Sequence, residues 1–347
     1  MADISIATPS ITVALRPLGA SIASILVRDK DGVERDVVLG FPTEAAQRDS
    51  PTHPYVGTVG RVANRIANAR FSLNETTYEL IANNGPNCLH GGVNGFDSKV
   101  WTVESKTASQ VVFSLESEDG EEGFPVAVKS TVTYTVEDSS VKINYSVTPI
   151  QEEGDSRLTV VNLTTHSYFN LSGFEKGSML EHVASFPSAL GHLETTDTQI
   201  PTGKLIETGA APEMDFTTAP KTFGQDLQLV QEFRGYDHFY VVKPFSKQAE
   251  KDVRLAAVVH SVETGIVMEM LTDAVGFQLY TGNWLDGAIP LKTDGSRSYE
   301  AYSGFCLEAS APPDAINSTD ASVRDTVTVG KGKDWNQVTV YRFGVKE

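Results

Sequence analysis

The feature that most restricts how this chain folds is a period-two alternation of apolar and polar side chains. Val126, Val128, Val132, Tyr134 and Val136 are separated by Ala127, Lys129, Thr131, Thr133 and Thr135. After a turn over Glu137 to Ser140, the pattern resumes as Val141, Ile143, Tyr145 and Val147 against Lys142, Asn144 and Ser146. Successive strand side chains point to opposite faces, so this pattern predicts a β-hairpin with one buried face. Its register is constrained as well, because a one-residue slip would turn the whole apolar set to water.

A second hairpin is expected from Val253, Leu255, Ala257 and Val259, through a turn near Glu263 to Gly265, into Ile266, Met268 and Met270. Shorter strands are expected at Val111 to Leu115, Leu158 to Tyr168, Phe277 to Tyr280, Phe305 to Glu308 and Val338 to Phe343, with Gly, Pro, Asn or Asp between them. Helical periodicity is confined to Thr43 to Arg48 and Asp226 to Gln231. No repeat, low-complexity tract or Gly/Ser linker divides the 347 residues. The fold class expected is therefore all-β: a large antiparallel β-sandwich with a few short helices, forming a single domain over residues 1–347.

Composition narrows the partners. The chain carries 28 Lys and Arg against 45 Asp and Glu, a net charge of −17. Such a charge repels phosphate backbones and anionic lipid surfaces, so neither nucleic acid nor membrane is expected as a partner. Cys88 and Cys306 match no metal-binding spacing and are too few for a disulfide scaffold. Asp3, Pro9 and Arg16 interrupt any apolar N-terminal stretch, so a cytoplasmic location is expected. The Asn-x-Ser/Thr triplets at Asn74, Asn144, Asn162, Asn170 and Asn317 are read as chance occurrences.

Chemistry-bearing residues gather in a few segments. Leu158 to Asn170 (LTVVNLTTHSYFN), read as a strand, puts Asn162, Thr164, His166 and Tyr168 on one face. A face of hydrogen-bonding groups is expensive inside a β protein unless something polar meets it. In GFCLEASAPPDAIN, Glu308 leaves a strand just before Pro312 and Pro313; on a concave face, desolvation would raise its proton affinity and make it a useful base. Arg61, Asn64, Arg65 and Asn68, together with Asn87, His90, Asp97 and Trp101, supply donors, acceptors and an aromatic face suited to sugar hydroxyls and C–H edges. Asp237, His238, Gln278, Tyr280, Asn283 and Trp284 add to this set. No metal is expected, because no cluster completes a ligand set around Cys88 and His90. Phosphate-loop and dinucleotide motifs are absent.

Taken in order, VGRVANRIANARF, NGPNCLHGGVNGFDSKVW, DGEEGFP, NLTTHSYFNLSG, IPTGK, MDF, GYDHFYVV, VGFQLYTGNWLDG and GFCLEASAPPDAIN resemble the aldose 1-epimerase (galactose mutarotase) family. The resemblance runs from about Gly57 to Asn317. It implies a β-supersandwich, no cofactor, and interconversion of the α and β anomers of free hexoses such as galactose and glucose. It implies His166 as general acid and Glu308 as general base, with Asn64, Arg65, His90, Asp237 and Gln278 binding the monosaccharide. The two catalytic groups are expected to flank the sugar from opposite sides. The chain departs from the family pattern at Thr165, at Ala309 to Ala311 and at Val126, which follows Pro125 where Gly is common. Other readings of the same residues are a sugar sensor without turnover, a hexose-phosphate mutarotase, and a glycosidase using Asp237 and Glu308.

Overall fold

The first predicted hairpin forms in register: strands Ala127–Glu137 and Ser140–Ile150 pair from Glu137 with Ser140 to Ala127 with Ile150. Val128, Val132, Tyr134, Val136, Val141, Ile143, Tyr145 and Val147 are all buried, each side chain contributing about 1.5–3 kcal/mol on leaving water. A computed structural model of the chain describes residues 3–50, 55–230, 232–245 and 252–346. The hairpin lies within a nine-stranded antiparallel sheet, next to the long strand Trp335–Val345. Beyond that strand comes the second predicted hairpin, Ile266–Thr272 with Arg254–His260. A bulge between Leu255 and Ala257 breaks its strict alternation, so that Ala256 and Ala257 are both buried.

A five-stranded antiparallel sheet faces this large one, in the order Pro201–Glu207, Gly191–Thr195, Asp237–Val241, Gly276–Tyr280 and Cys306–Ser310. The Trp335–Val345 strand reaches its last member directly. Tyr341 donates its hydroxyl to the Leu307 carbonyl at 2.9 Å, and Gln337 donates to the Ala309 carbonyl at 2.8 Å. Phe277, Leu279, Leu307 and Ala309 on the inner face join the hydrophobic cluster that also contains the hairpin side chains. A four-stranded N-terminal sheet contributes Val13, Leu15, Ile22 and Ile25 to the same cluster. The expected all-β sandwich of antiparallel sheets is what forms.

Three local expectations change. The run from Leu158 to Tyr168 is not one strand: Leu158–Val160 pairs with Thr328–Gly330, and Thr164–Thr165 pairs with Thr58–Val59. Residues 159–172 are all buried, so each backbone group must find whichever neighbour lies nearest, and no one partner strand serves them all. Asp226 to Gln231 yields only a 3₁₀ turn at Leu227–Leu229, Gln231 lying outside the described residues; the helix expected over Thr43 to Arg48 forms as Glu44–Arg48, with Thr43 as its cap. Val126 precedes its strand with φ of +65°, a left-handed conformation rare for a β-branched residue and natural for the family's glycine. Its N–H is held by Asp119 and its carbonyl by Arg61.

Candidate active site

Three adjacent strands of the five-stranded sheet carry Asp237, Gln278 and Glu308 to one face. Gln278 lies directly opposite Glu308, and Phe239 lies opposite Gln278, which places Asp237 diagonally from it. Side-chain alternation sends the apolar neighbours of Gln278 and Glu308 into the core, so the sheet is hydrophobic beneath and polar above. Glu308 sits mid-strand and is 3% exposed, the desolvated setting expected of a useful base.

The opposite wall comes from two short ladders. Arg65–Ile66 pairs with Cys88–Leu89, bringing Asn64, Arg65 and His90 together. Asn64 and His90 form a reciprocal pair: the His90 N–H donates to the Asn64 carbonyl at 3.0 Å, and the Asn64 N–H donates to His90 Nδ1 at 3.1 Å. That second bond fixes the tautomer, leaving the proton on Nε2. His166 follows the Thr164–Thr165 strand, its N–H donating to the Gly57 carbonyl at 2.9 Å. All five proposed binding residues and both proposed catalytic residues line one cavity of about 420 Å³.

Inside it, His166 Nε2 lies 3.5 Å from Glu308 Oε1. The imidazole and carboxylate are direct neighbours, not groups that face each other across a sugar ring; they come from different segments that converge, and no spacing along the chain reveals the separation. Burial dominates both titrations. It lowers the His166 pKa to about 4, against a smaller upward pull from Asp237. It pushes Glu308 well above the ordinary carboxylate range, with Asp237 adding to the rise and Arg65 opposing it. Burial thus favours the neutral form of each group, while Arg65 pulls Glu308 toward its carboxylate form. Cys306, its thiol kept protonated by burial, lies with Sγ 3.5 Å from His166 Nδ1.

The charged residues around the pair are tightly held. Arg65 donates to Asn84 through Nε at 3.0 Å, to Asn64 through Nη1 at 3.3 Å, and to Gln199 through Nη2. Asp237 accepts from Gln278 at 2.7 Å and from Gln199 on its other oxygen. Gln278 Oε1 is buried without a hydrogen-bond partner. Tyr168 and Tyr280 pack beside His166, and Trp284 stands at the rim, 58% exposed. Tyr55, Asn84 and Gln199 also line the cavity and escaped the sequence reading. Gln199 directly precedes IPTGK and Asn84 opens NGPNCLHGGVNGFDSKVW, so one stood beside a recognised motif and the other inside one, neither with a chemical signature of its own.

Other candidates fall outside the cavity. Arg61 is buried and donates to the carbonyls of Pro125, Val126 and Glu118. Asn162 bridges the backbone of Ala311, Asn87 bridges Asn68 and Thr198, and Asn283 holds Phe233 and Tyr236. Trp101 is in the core. Asn162 and Asn170 are fully buried, which excludes glycans at those triplets. His90, His166 and Glu308 bring possible metal-ligating atoms within 4.8 Å of one another, a convergence no spacing predicted. The donor set does not suit a cation, because the Asn64 N–H obliges His90 to keep its proton on the nitrogen left free.

The arrangement can therefore read neutral hydroxyl groups and move one proton between two buried groups. The family model described as aldose 1-epimerase matches residues 3–342. A galactose mutarotase from Sus scrofa is 39% identical over 331 residues, covering 94% of this chain and 89% of that protein. An aldose 1-epimerase from Escherichia coli is 31% identical over 336 residues, covering 95% and 91%. Among solved structures, a GalM/aldose epimerase homologue from C. elegans superposes with a TM-score of 0.86 at 27% identity, covering 100% of this chain and 99% of that one. The chain belongs to the aldose 1-epimerase family, and its activity is that of an isomerase exchanging the anomers of an aldose.

Proposed function

We propose that the protein is a mutarotase of free hexoses such as galactose and glucose, with Glu308 as general base and His166 as general acid. The observation that carries the assignment of roles is the 3.5 Å separation of Nε2 and Oε1 inside a sugar-sized cavity. Ring opening needs the C1 hydroxyl to lose a proton while the ring oxygen gains one and the C1–O5 bond breaks. Glu308 takes the hydroxyl proton and His166 delivers one to the ring oxygen; the aldehyde turns about C1–C2 and closes on its other face, restoring both groups. Arg65 lowers the proton affinity of Glu308 and so favours the carboxylate that the base step requires, and sugar hydroxyls beside His166 favour its imidazolium form. Asn64, Arg65, His90, Asp237 and Gln278 hold the sugar through its hydroxyls.

Arg65 is the sole Lys or Arg among the described lining residues, which also include Asp237, Asp286 and Glu308, an environment that disfavours a phosphorylated hexose. Two buried, unpaired cysteines agree with a reducing, cytoplasmic setting, and no helix among the described residues is long and apolar enough to cross a membrane. The shared core cluster supports reading residues 1–347 as one domain. Polarimetry on freshly dissolved α-galactose and α-glucose tests the proposal. The unaltered protein accelerates the approach to equilibrium, and Glu308→Gln or His166→Gln lowers kcat about 10²–10⁴-fold. Full activity in either variant would overturn the roles, and sugar binding without acceleration by the unaltered protein would point to a sensor.

A further inference from the structure

Arg65 and Asp237 are opposite charges facing one small cavity, yet they meet through a neutral side chain. Gln199 accepts a hydrogen bond from Arg65 Nη2 on its carbonyl and donates one from its amide nitrogen to Asp237 Oδ2. The amide dipole therefore lies with its negative end toward the cation and its positive end toward the anion, the one orientation that satisfies both. Gln199 belongs to neither residue's segment. It sits on the turn joining strands Gly191–Thr195 and Pro201–Glu207, with φ of +60°. Its backbone is fixed there: Gln199 N–H donates to the Thr196 carbonyl at 2.9 Å, Thr196 N–H to the Ile200 carbonyl at 2.9 Å, and Asn87 holds the Thr198 carbonyl at 3.2 Å. A residue held in a sparsely populated conformation, with its side chain aimed into the site, is a constrained part and not a passive filler.

We propose that Gln199 is a positioning residue that spaces Arg65 from Asp237, preventing a direct ion pair and leaving each with hydrogen-bonding capacity for sugar hydroxyls. A guanidinium carries five N–H donors, and the protein engages Arg65 at Nε, Nη1 and Nη2 through single bonds to Asn84, Asn64 and Gln199. Each Asp237 oxygen keeps a further lone pair beyond its bonds to Gln278 and Gln199. A bidentate Arg65–Asp237 pair would consume this capacity and draw the two walls together. Spacing also matters electrostatically, since Asp237 and Arg65 act on Glu308 in opposite directions.

The inference rests on the mutarotase reading, and initial-rate polarimetry separates the two. Gln199→Ala removes the spacer and raises KM about tenfold to a hundredfold, the loss of contacts to charged groups, with kcat little changed. Gln199→Glu keeps the shape and the bond to Arg65 but places a carboxylate against Asp237; it raises KM and moves the acidic limb of kcat/KM to higher pH. A purely structural turn residue would leave that limb in place. Absence of acceleration by the unaltered protein would sink the mutarotase reading and this inference with it. Normal turnover by the unaltered protein, with KM and pH profile in Gln199→Glu within about twofold of it, overturns the inference alone, whether or not Gln199→Ala folds.

Discussion

Desolvation outweighs every charge contact at His166 and Glu308, and that ordering fixes how the enzyme responds to pH. An imidazole in water titrates near 6.5, but burial holds His166 near 4. The acidic limb of kcat/KM, which reports the free enzyme, follows the protonation of His166. It is therefore expected well below 6.5, after subtraction of the spontaneous rate; a limb at 6.5 would mean that water reaches the ring. At this scale the sequence was informative about identity and silent about environment. His166 and Glu308 were recognisable as acid and base candidates, but their separation and burial depend on segments 142 residues apart folding against each other.

Asn162 shows what the element scale adds. It was grouped with His166 on one strand face, but its amide is hydrogen-bonded to the backbone of Ala311, donating at 3.3 Å and accepting at 3.0 Å. It ties the histidine segment to the end of the strand carrying Glu308. Asn162→Ala leaves two buried backbone groups without partners, at about 1–3 kcal/mol each, and loosens the spacing of the acid–base pair. Chemical denaturation should record the lost stability, and kcat should fall more than KM rises; unchanged stability would remove Asn162 from this role. The hairpins were legible because alternation and turn residues are local properties. The histidine segment was not, because its hydrogen bonds go to several distant partners and burial on both sides erases the alternation that defines a face.

Buried histidines recur through the molecule, and their sum shapes its stability. Burial lowers His166 to about 4 and His182 and His238 to about 3, each from 6.5. The folded chain keeps these rings neutral, whereas the unfolded chain protonates them below 6.5. Between that value and about 4 the unfolded state binds more protons, so stability falls as pH falls through this window. Glu308 acts in the opposite sense: the folded protein retains a proton that the unfolded chain releases above its model value of 4.5, and that contribution is lost as pH rises through the folded value. Burial also lowers His90 and raises Asp314, so four buried rings stand against two carboxyls, and the melting temperature is expected to drop on moving from pH 6.5 to 4.5. A flat profile would contradict the burial of these rings. If one domain spans the chain, each melt should show a single cooperative transition.

By itself the sequence determined the class of fold, the hairpin registers and the residue types available for proton transfer and hydroxyl recognition, because alternation, turn chemistry and side-chain functional groups are written locally. Tertiary structure alone decided that His166 and Glu308 are buried side by side, that Asn162, Asn87 and Arg61 serve the backbone, and that Gln199 stands between Arg65 and Asp237. Those outcomes depend on distance and dielectric, and both arise only when remote segments exclude water together.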